Sequence, residues 1–458
     1  MVGCGNLKPP SKPDEFWVPP KWEKTTKEPD EAWMSLRAKS MDSSEPLDLE
    51  DVVNIALRNN PLILQAFYNS KAAHAQLKQA ESTWYPQVSV SGDYTLDKKD
   101  ANQPSDDMDT RSYGGIANAS MLAFDFGGRA AAVREAYDNL IAANFTFNQT
   151  VQDTIRDAQS AYFALYTAKA NIEAQESNVH DSKESLYVTE EKYKAGIVVK
   201  LDLLQAQANY EQALFTLEDA KGKNKTAKGE LTVILGFPAD TEFEIADPSA
   251  EVPKGITEKD IRSLIDEGLE RRPDIGSSKA TFRSQKAAII TASSELWPTL
   301  DVGGSAGKSW IQNLDDDKSY RNAAEYTGFL QVNWDVFDGF NNYAGRLEAI
   351  AEKQAGYTQL LQDELAASAD IWSKYYDLKT AISKIKFSKA FLKSSAESFH
   401  LALESYSAGL KDILDLLLSQ TQLAQARSDL VESEDDMYTA YVELLHATGS
   451  LTIESESE

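Results

Sequence analysis

The sequence predicts an internally duplicated α+β membrane protein, and three observations lead to this fold class. Motifs of the first half recur in the second half at an almost constant offset. Each half contains a proline-free segment of about 65 residues with helical spacing of its apolar residues. Each half also contains two short segments in which apolar and polar residues alternate, which is typical of strands with two different faces.

Composition excludes several classes of protein. The 458 residues carry 46 Lys and Arg against 72 Asp and Glu, a formal net charge of −26. This acidity argues against nucleic-acid binding, because a phosphate backbone requires a basic surface. No apolar run approaches the length of a transmembrane helix. One cysteine excludes a disulfide framework, and four scattered histidines lack ligand spacing, so we expect no metal and no cofactor.

The duplication is seen in motifs that keep one offset. The Asn-Asn-Pro that ends at Pro61 recurs as the Arg-Arg-Pro that ends at Pro273, 212 residues later. Phe124-Asp125 recurs as Phe337-Asp338 at an offset of 213. Further pairs at offsets of 212 or 213 are Trp84-Tyr85-Pro86 with Leu296-Trp297-Pro298, Gly196 with Gly409, Asp202 with Asp415, Gln207 with Gln420, and Gly236 with Gly449. A period of this length indicates a duplicated fold rather than a short solenoid repeat.

The chain is therefore divided by repeat. We expect an N-terminal Pro/Trp-rich arm over 1–46, a first repeat over 47–236, a linker over 237–255, a second repeat over 256–449 and an acidic tail over 450–458. The first repeat is expected to contain strands 87–97 and 112–125, a long helix 129–195 and a return helix 200–235. The second is expected to contain strands 299–311 and 326–337, a long helix 340–408 and a return helix 411–448.

Four strands per chain do not complete a barrel, because about eight is the smallest closed set. An open sheet with two different faces would leave its edges exposed. Each strand has about the 9–11 residues that cross a bilayer when tilted. We therefore expect several chains to pool their strands into one transmembrane barrel. The long helices, about 100 Å at 1.5 Å per residue, would continue it as a coiled-coil tube.

The N-terminal segment carries a separate signal. Cys4 follows small residues, which is typical of the end of a bacterial lipoprotein signal whose cysteine is acylated after cleavage. Residues 9–33 are too rich in proline for a helix or a central strand and are expected to form an extended arm. We expect lipidation at Cys4, with an inert free thiol as the alternative.

Several of these motifs together resemble a known family. They are the Asn-Asn-Pro helix start, the Trp-Tyr-Pro strand entry, the segments 124–129 and 334–339, and the Tyr-x-x-Gly turns at 193–196 and 406–409. This chain resembles the TolC-type outer-membrane efflux channels over about 47–449, nearly its whole length. The N-terminal cysteine and Pro/Trp arm further resemble the lipoprotein branch that serves proton-driven drug and metal efflux pumps.

The resemblance implies an architecture and a role. It implies a homotrimer with a 12-stranded outer-membrane barrel, continued by an α-helical barrel across the periplasm. It also implies docking onto a periplasmic adaptor and an inner-membrane transporter. The chain would be the passive exit duct of a tripartite efflux pump for drugs, toxic compounds or metal ions, and not an enzyme. The transported substrate stays open, because the partners set it.

Acidic residues at the start of the return helix are the first candidate site. In the family, the matching helix start carries acidic residues that ring the periplasmic entrance and help to close it. The resemblance assigns this gate role to Asp412 and Asp415, and to Asp202 at the matching position of the first repeat. The alternative is that they only cap the helix. The family often has another Asp where this chain has Leu418, so the ring would be built differently here.

The turns between long and return helices are the second candidate site. Gly196 and Gly409 are ordinary helix stops. Ile197 and Leu410 beside them are apolar residues that would lie in water. In the family, such tips dock the helical hairpin of the adaptor, and the resemblance assigns that role to these four residues.

Two other functions remain open from the sequence. The chain could be the outer-membrane outlet of a type I protein secretion system, which belongs to the same class of channel. It could also be a soluble periplasmic coiled-coil scaffold, although that would not explain the two-faced strands or the cysteine. An enzyme is not expected, because no Ser/His/Asp or Cys/His set is suggested by spacing.

Overall fold

The computed structural model describes residues 46–99, 108–248, 260–313 and 320–451. Cys4 and the Pro/Trp-rich arm, the end of the linker from 249 and the tail from 452 lie outside the described residues.

The two repeats fold into the same order of elements. The first contains α1 (Leu49–Asn59), α2 (Pro61–Glu81), β1 (Gln87–Lys99), β2 (Met108–Phe124), α3 (Gly128–Lys194) and α4 (Lys200–Ile234). The second contains α5 (Ile261–Arg271), α6 (Pro273–Ser294), β3 (Thr299–Asn313), β4 (Tyr320–Asn333), α7 (Asn341–Ser407) and α8 (Ile413–Ala447). The long helices α3 and α7 both have 67 residues, and the return helices α4 and α8 both have 35. The predicted α+β class with an internal duplication is confirmed. Among the described helices, none is both long and apolar enough to span a membrane.

The four strands form one antiparallel sheet in the order β1-β2-β3-β4. Residues opposite each other in an antiparallel pair point to the same face, so the register assigns every strand residue to a face. One face, called here the apolar face, includes Val88, Val90, Tyr94, Leu96, Val302, Trp310, Tyr326, Leu330 and Val332. The opposite face, called the polar face, includes Ser89, Ser91, Asp93, Thr95, Asn118, Ser305, Glu325 and Thr327. Val90 and Tyr326 on the apolar face are each 81% exposed in the single chain.

The last strand differs from the expected range of 326–337, because it starts earlier and ends four residues earlier, at Asn333. The alternation of apolar residues continues to Val336, but backbone pairing does not. Asn333 pairs with Thr299, the first residue of β3. Pro298 precedes Thr299 and has no N–H to donate, so the segment after Asn333 has no partner strand. The other strand and helix ends lie within four residues of the expected positions.

A similar turn joins strand to long helix in both repeats. The backbone N–H of Arg129 donates to Asp125 Oδ2 at 2.5 Å, and that of Asn342 donates to Asp338 Oδ2 at 2.7 Å. Two successive residues have positive φ in each turn, Phe126-Gly127 and Gly339-Phe340. Each turn therefore contains one phenylalanine and one glycine with positive φ, but the glycine is second in the first repeat and first in the second repeat.

The compact units of the chain do not coincide with its repeats. One unit contains described residues of 46–68, 144–276 and 362–451, and the other contains those of 69–143 and 277–361. Each unit takes segments from both repeats. The first unit has the larger apolar core, in which Val52, Leu57, Ile63, Phe147 and Leu231 are fully buried. The second unit contains the sheet.

Candidate functional site

Both turns between a long helix and a return helix have the same backbone geometry. At the end of α3, the N–H of Gly196 donates to Tyr193 O at 2.9 Å and that of Ile197 donates to Lys192 O at 2.9 Å. At the end of α7, Gly409 donates to Tyr406 O at 3.0 Å and Leu410 to Ser405 O at 2.9 Å. This pair of bonds defines the Schellman motif. The two turns are therefore equivalent, and we call them the first tip and the second tip.

Each tip presents a glycine and one apolar side chain to the outside. Gly196 and Gly409 have φ of 74° and 78°, and a Cβ at either would meet no atom within 4 Å. Backbone conformation, not space, therefore requires glycine there. Ile197 and Leu410 follow them and are 68% and 79% exposed. In a Schellman motif this residue usually packs onto its helix, but here both side chains remain exposed.

Asp412 and Asp415 lie together on the first turn of α8. Asp412 is the N-cap residue, and its Oδ1 accepts the backbone N–H of Asp415 at 2.9 Å. The carboxylate of Asp415 forms an ion pair with Lys411 Nζ at 2.9 Å, and this partner raises the pKa of the Lys411 ammonium. Asp412 therefore caps the helix, while Asp415 carries a locally balanced charge.

Asp202 occupies the same helix position as Asp415, three residues after the N-cap. Its Oδ2 accepts the backbone N–H of Val199, the N-cap residue of α4, at 3.3 Å. The first repeat thus has Val199 where the second has Asp412. The start of α8 therefore carries one more carboxylate than the start of α4. The two helix starts have the same backbone conformation and differ in the N-cap side chain.

A contact that could not be predicted from the sequence joins the two tips. Lys192, which is buried, donates from Nζ to the backbone oxygen of Tyr406 and lies 4.2 Å from the centroid of its ring. Burial raises the pKa of the Tyr406 phenol; a hydrogen bond with Thr189 partly opposes this effect, and the charge of Asp202 adds to it. The available signal was the Tyr-x-x-Gly motif that places Tyr193 and Tyr406 in both tips. The lysine has no counterpart, because Ser405 stands at its position in the second repeat.

A polar seam joins α3 to α8 above the tips. Arg427 Nη1 donates to Asn178 Oδ1 at 2.6 Å and to Asp181 Oδ2 at 2.7 Å. Gln420 Nε2 donates to Ser182 Oγ at 2.5 Å, and Gln420 and Ser182 are both buried. Because buried polar groups need their partners, this seam fixes the alignment of the two helices.

No metal centre is evident in the described part of the chain. There, no group of three or more His, Cys, Asp or Glu side chains is arranged to hold a metal ion. The two tips combine exposed apolar residues, capping carboxylates and the bridging lysine.

Comparisons with known proteins agree with this geometry. Protein CyaE of Bordetella pertussis is 25% identical over 410 residues, which cover 90% of this chain and 85% of that protein. The toluene efflux pump outer membrane protein TtgC of Pseudomonas putida is 23% identical over 412 residues, covering 88% of this chain and 82% of that protein. Among solved structures, the outer-membrane channel OprN has the same fold, with a TM-score of 0.78 at 21% identity over 88% of this chain and 90% of that one.

The family model described as Outer membrane efflux protein matches residues 52–237 and 264–450. These two matched stretches correspond to the two repeats and together span most of the chain. The chain is therefore an outer-membrane protein that belongs to the outer membrane efflux protein family.

Proposed function

We propose that the chain is the outer-membrane exit duct of a tripartite efflux pump. In this function it forms a passive channel that conducts drugs, toxic compounds or metal ions from the periplasm to the exterior. The observation that carries the proposal is the single four-stranded sheet, which has one apolar face, one polar face and two unpaired edges, β1 and β4. A membrane barrel requires this division, with apolar residues toward lipid and polar residues toward the lumen.

Three copies complete the barrel. The edge β1 of one copy would pair with β4 of the next, which gives 12 strands and leaves no edge exposed. The tips are proposed to form the periplasmic entrance of the channel.

The carboxylates at the start of α8 are proposed as the gate. In a trimer, Asp412 and Asp415 would place six carboxylates around the entrance, and Asp202 would add to them. Such a ring favours cations at a narrow opening. Both Asp412 and Asp202 also serve their own helix starts, so the gate role has to be tested separately from capping.

The tips are proposed as the docking site of a periplasmic adaptor, through which an inner-membrane transporter supplies the energy. The support is the exposure of Ile197 and Leu410 on two equivalent turns. An apolar residue on a rigid turn is suited to insertion between the helices of a hairpin. Replacement of Gly196 or Gly409 by valine should abolish adaptor pull-down while the trimer persists on size-exclusion chromatography.

Conductance in planar bilayers tests the function as a whole. The purified protein should require detergent for extraction and should form discrete channels after reconstitution. Extraction without detergent, together with no conductance, would instead support a soluble scaffold.

Lipidation of Cys4 is proposed as a second membrane anchor. The intact mass of the mature protein should then include the acyl chains.

A further inference from the structure

Two cations whose side chains the structure describes, Arg111 and Lys308, lie on the mainly apolar face of the sheet. Arg111 of β2 is opposite Leu96 and Gln312, and Lys308 of β3 is opposite Gly115. Within the described part of the chain, neither forms an ion pair with a carboxylate, and Arg111 Nε has no hydrogen-bond acceptor. Unpaired cations on this face are unexpected in a chain with a net charge of −26.

Aromatic residues mark the depth of these cations in the membrane. Phe124, Phe126 and Trp297 pack together near the helical end of the sheet, with centroids 4.8 and 5.3 Å apart. Tyr113 and Trp310 stack at 5.4 Å nearer the loop end. The ten residue steps from Leu300 to Trp310 extend about 33 Å along the strand. At a tilt of about 40° this is close to the apolar band of about 25 Å between the two aromatic girdles of an outer-membrane barrel.

The cations flank the outer aromatic row. Arg111 lies one row beyond the Tyr113–Trp310 pair on the loop side, and Lys308 lies one row before it. Lys308 Nζ is 5.2 Å from the centroid of the Trp310 ring, so its chain extends toward the loop end. A lysine that reaches along an aromatic ring toward the headgroup level is snorkelling. The charge of Lys308 therefore extends toward the row of Arg111, near the depth at which lipid headgroups begin.

We propose that Arg111 and Lys308, with Trp310 between them, bind the phosphate of an anionic lipid in the outer leaflet. The proposal rests on the proposed function, because the apolar face contacts lipid only in the assembled barrel. A phosphate supplies the anion that neither side chain finds within the described part of the chain, and guanidinium and ammonium groups both bind phosphate well. Basic groups at the membrane surface attract anionic lipids in this way.

Quenching of tryptophan fluorescence by brominated lipids tests the proposal. The protein is reconstituted in phosphatidylcholine vesicles that contain a small, equal fraction of brominated phosphatidylglycerol or brominated phosphatidylcholine. The contribution of Trp310 is the difference between the natural protein and Trp310→Phe. We expect the anionic lipid to quench this contribution more strongly, with a preference of about fivefold per cation at low salt. The preference should decrease as salt is added, because the interaction is screened.

Variants separate the two cations from the rest of the surface. Arg111→Gln with Lys308→Gln should remove the preference, and Arg111→Lys with Lys308→Arg should keep it. Arg321→Gln is the matched control. Arg321 is opposite Ile311, next to Trp310 in sequence but on the polar face, so its replacement should leave the preference for the anionic lipid unchanged. Equal quenching by both lipids, or a preference that survives the Gln pair, would overturn the proposal. If neither brominated lipid quenches any tryptophan, the protein has not inserted, and the proposed function itself fails.

Discussion

Glycine at the ends of the return helices is required for a reason that does not apply at the tips. Gly236 has a φ of 80°, and a Cβ there would lie 2.6 Å from the backbone oxygen of Asn59. Gly449 has a φ of 65°, and its Cβ would lie 3.0 Å from the backbone carbon of Arg271. In each repeat, the end of the return helix thus touches the end of the first short helix.

Alanine at Gly236 should therefore destabilise the protein. The strain of positive φ alone is about 1–2 kcal/mol, and the contact with backbone adds to it. Gly222 provides the matched control, because it lies inside α4 and a Cβ there meets no atom within 4 Å. Gly222→Ala should raise stability by up to about 1 kcal/mol. Thermal unfolding measures both changes, and equal effects at the two positions would contradict the argument.

Removal of charge at the gate should increase conductance. Asp412→Ala with Asp415→Ala removes six carboxylates from the proposed trimer and should raise single-channel conductance in planar bilayers, because the proposed gate residues help to close the entrance and its widening outweighs the lost attraction for cations. Asp412→Ser is the control for fraying, because serine caps a helix as well as aspartate does but carries no charge. If Asp412→Ser also raises conductance, charge is responsible. Unchanged conductance in the double alanine variant would rule out a gate at these residues.

At the scale of elements, one side chain before each proline ties the short helix to the return helix. Asn60 Nδ2 donates to Ile234 O at 3.1 Å, and Arg272 Nη1 donates to Ala447 O at 3.1 Å. These pairs lie at equivalent positions of the two repeats. Arg272 in addition forms ion pairs with Asp274 and Asp370 at 2.8 and 2.9 Å. The contact between the short helix and the return helix is therefore made by the guanidinium of Arg272 in the second repeat and by the side-chain amide of Asn60 in the first.

This difference predicts a dependence of stability on pH. Burial raises the pKa of Asp274, but the hydrogen bond and charge of Arg272 outweigh it, so the pKa lies below its usual value. A carboxyl whose pKa is lower in the folded state stabilises that state above about pH 4, and the contribution is lost as the pH falls. Asp274→Asn should lower the melting temperature at pH 7 and reduce its decrease between pH 5 and 3.

Asp219→Asn is the control for this experiment, because Asp219 is an exposed carboxylate paired with Lys223 on one helix. Exposed pairs contribute little, so this variant should melt like the natural protein at both pH values. If Asp274→Asn kept the full loss of stability in acid, the Arg272 cluster would not be its source.

Local pattern predicted most of the elements, whereas contacts distant in sequence could not be predicted. The offset of 212–213 residues predicted the repeated strands and helices because both copies share their backbone signals. The end of β4 at Asn333 depends on where its partner β3 begins. The alternation of apolar and polar residues within β4 gives no information about that partner. The contact of Lys192 with Tyr406 depends on the packing of helices 214 residues apart. The roles of Asp412, Asp415 and the tips remain predictions.

At the scale of the whole molecule, the polar face of the sheet is where the negative charge of the chain would affect ion permeation. By register it carries the carboxylates Asp93, Asp97, Asp301 and Glu325 and the cations Arg321 and Lys99, an excess of two negative charges per chain. If this face lines the lumen, three copies would give it a clear excess of negative charge. Such a lining concentrates cations and repels anions.

The channel should therefore be cation-selective. A potassium chloride gradient across a planar bilayer should give a reversal potential of the cation-selective sign. Asp93→Asn with Asp97→Asn and Glu325→Gln should move this potential toward zero. Arg321→Gln should move it the other way. A reversal potential that indicates anion preference in the natural protein would contradict this assignment of the lumen.

The unequal start of the two return helices has a consequence for symmetry. Val199 in one repeat and Asp412 in the other occupy the same backbone position. Around the mouth of the proposed trimer, helix starts with and without a carboxylate at the N-cap would alternate, although the six hairpins share one backbone. Its electric field would then repeat every 120° rather than every 60°. An adaptor that docks there would meet two chemically distinct binding sites and would bind them with unequal affinity.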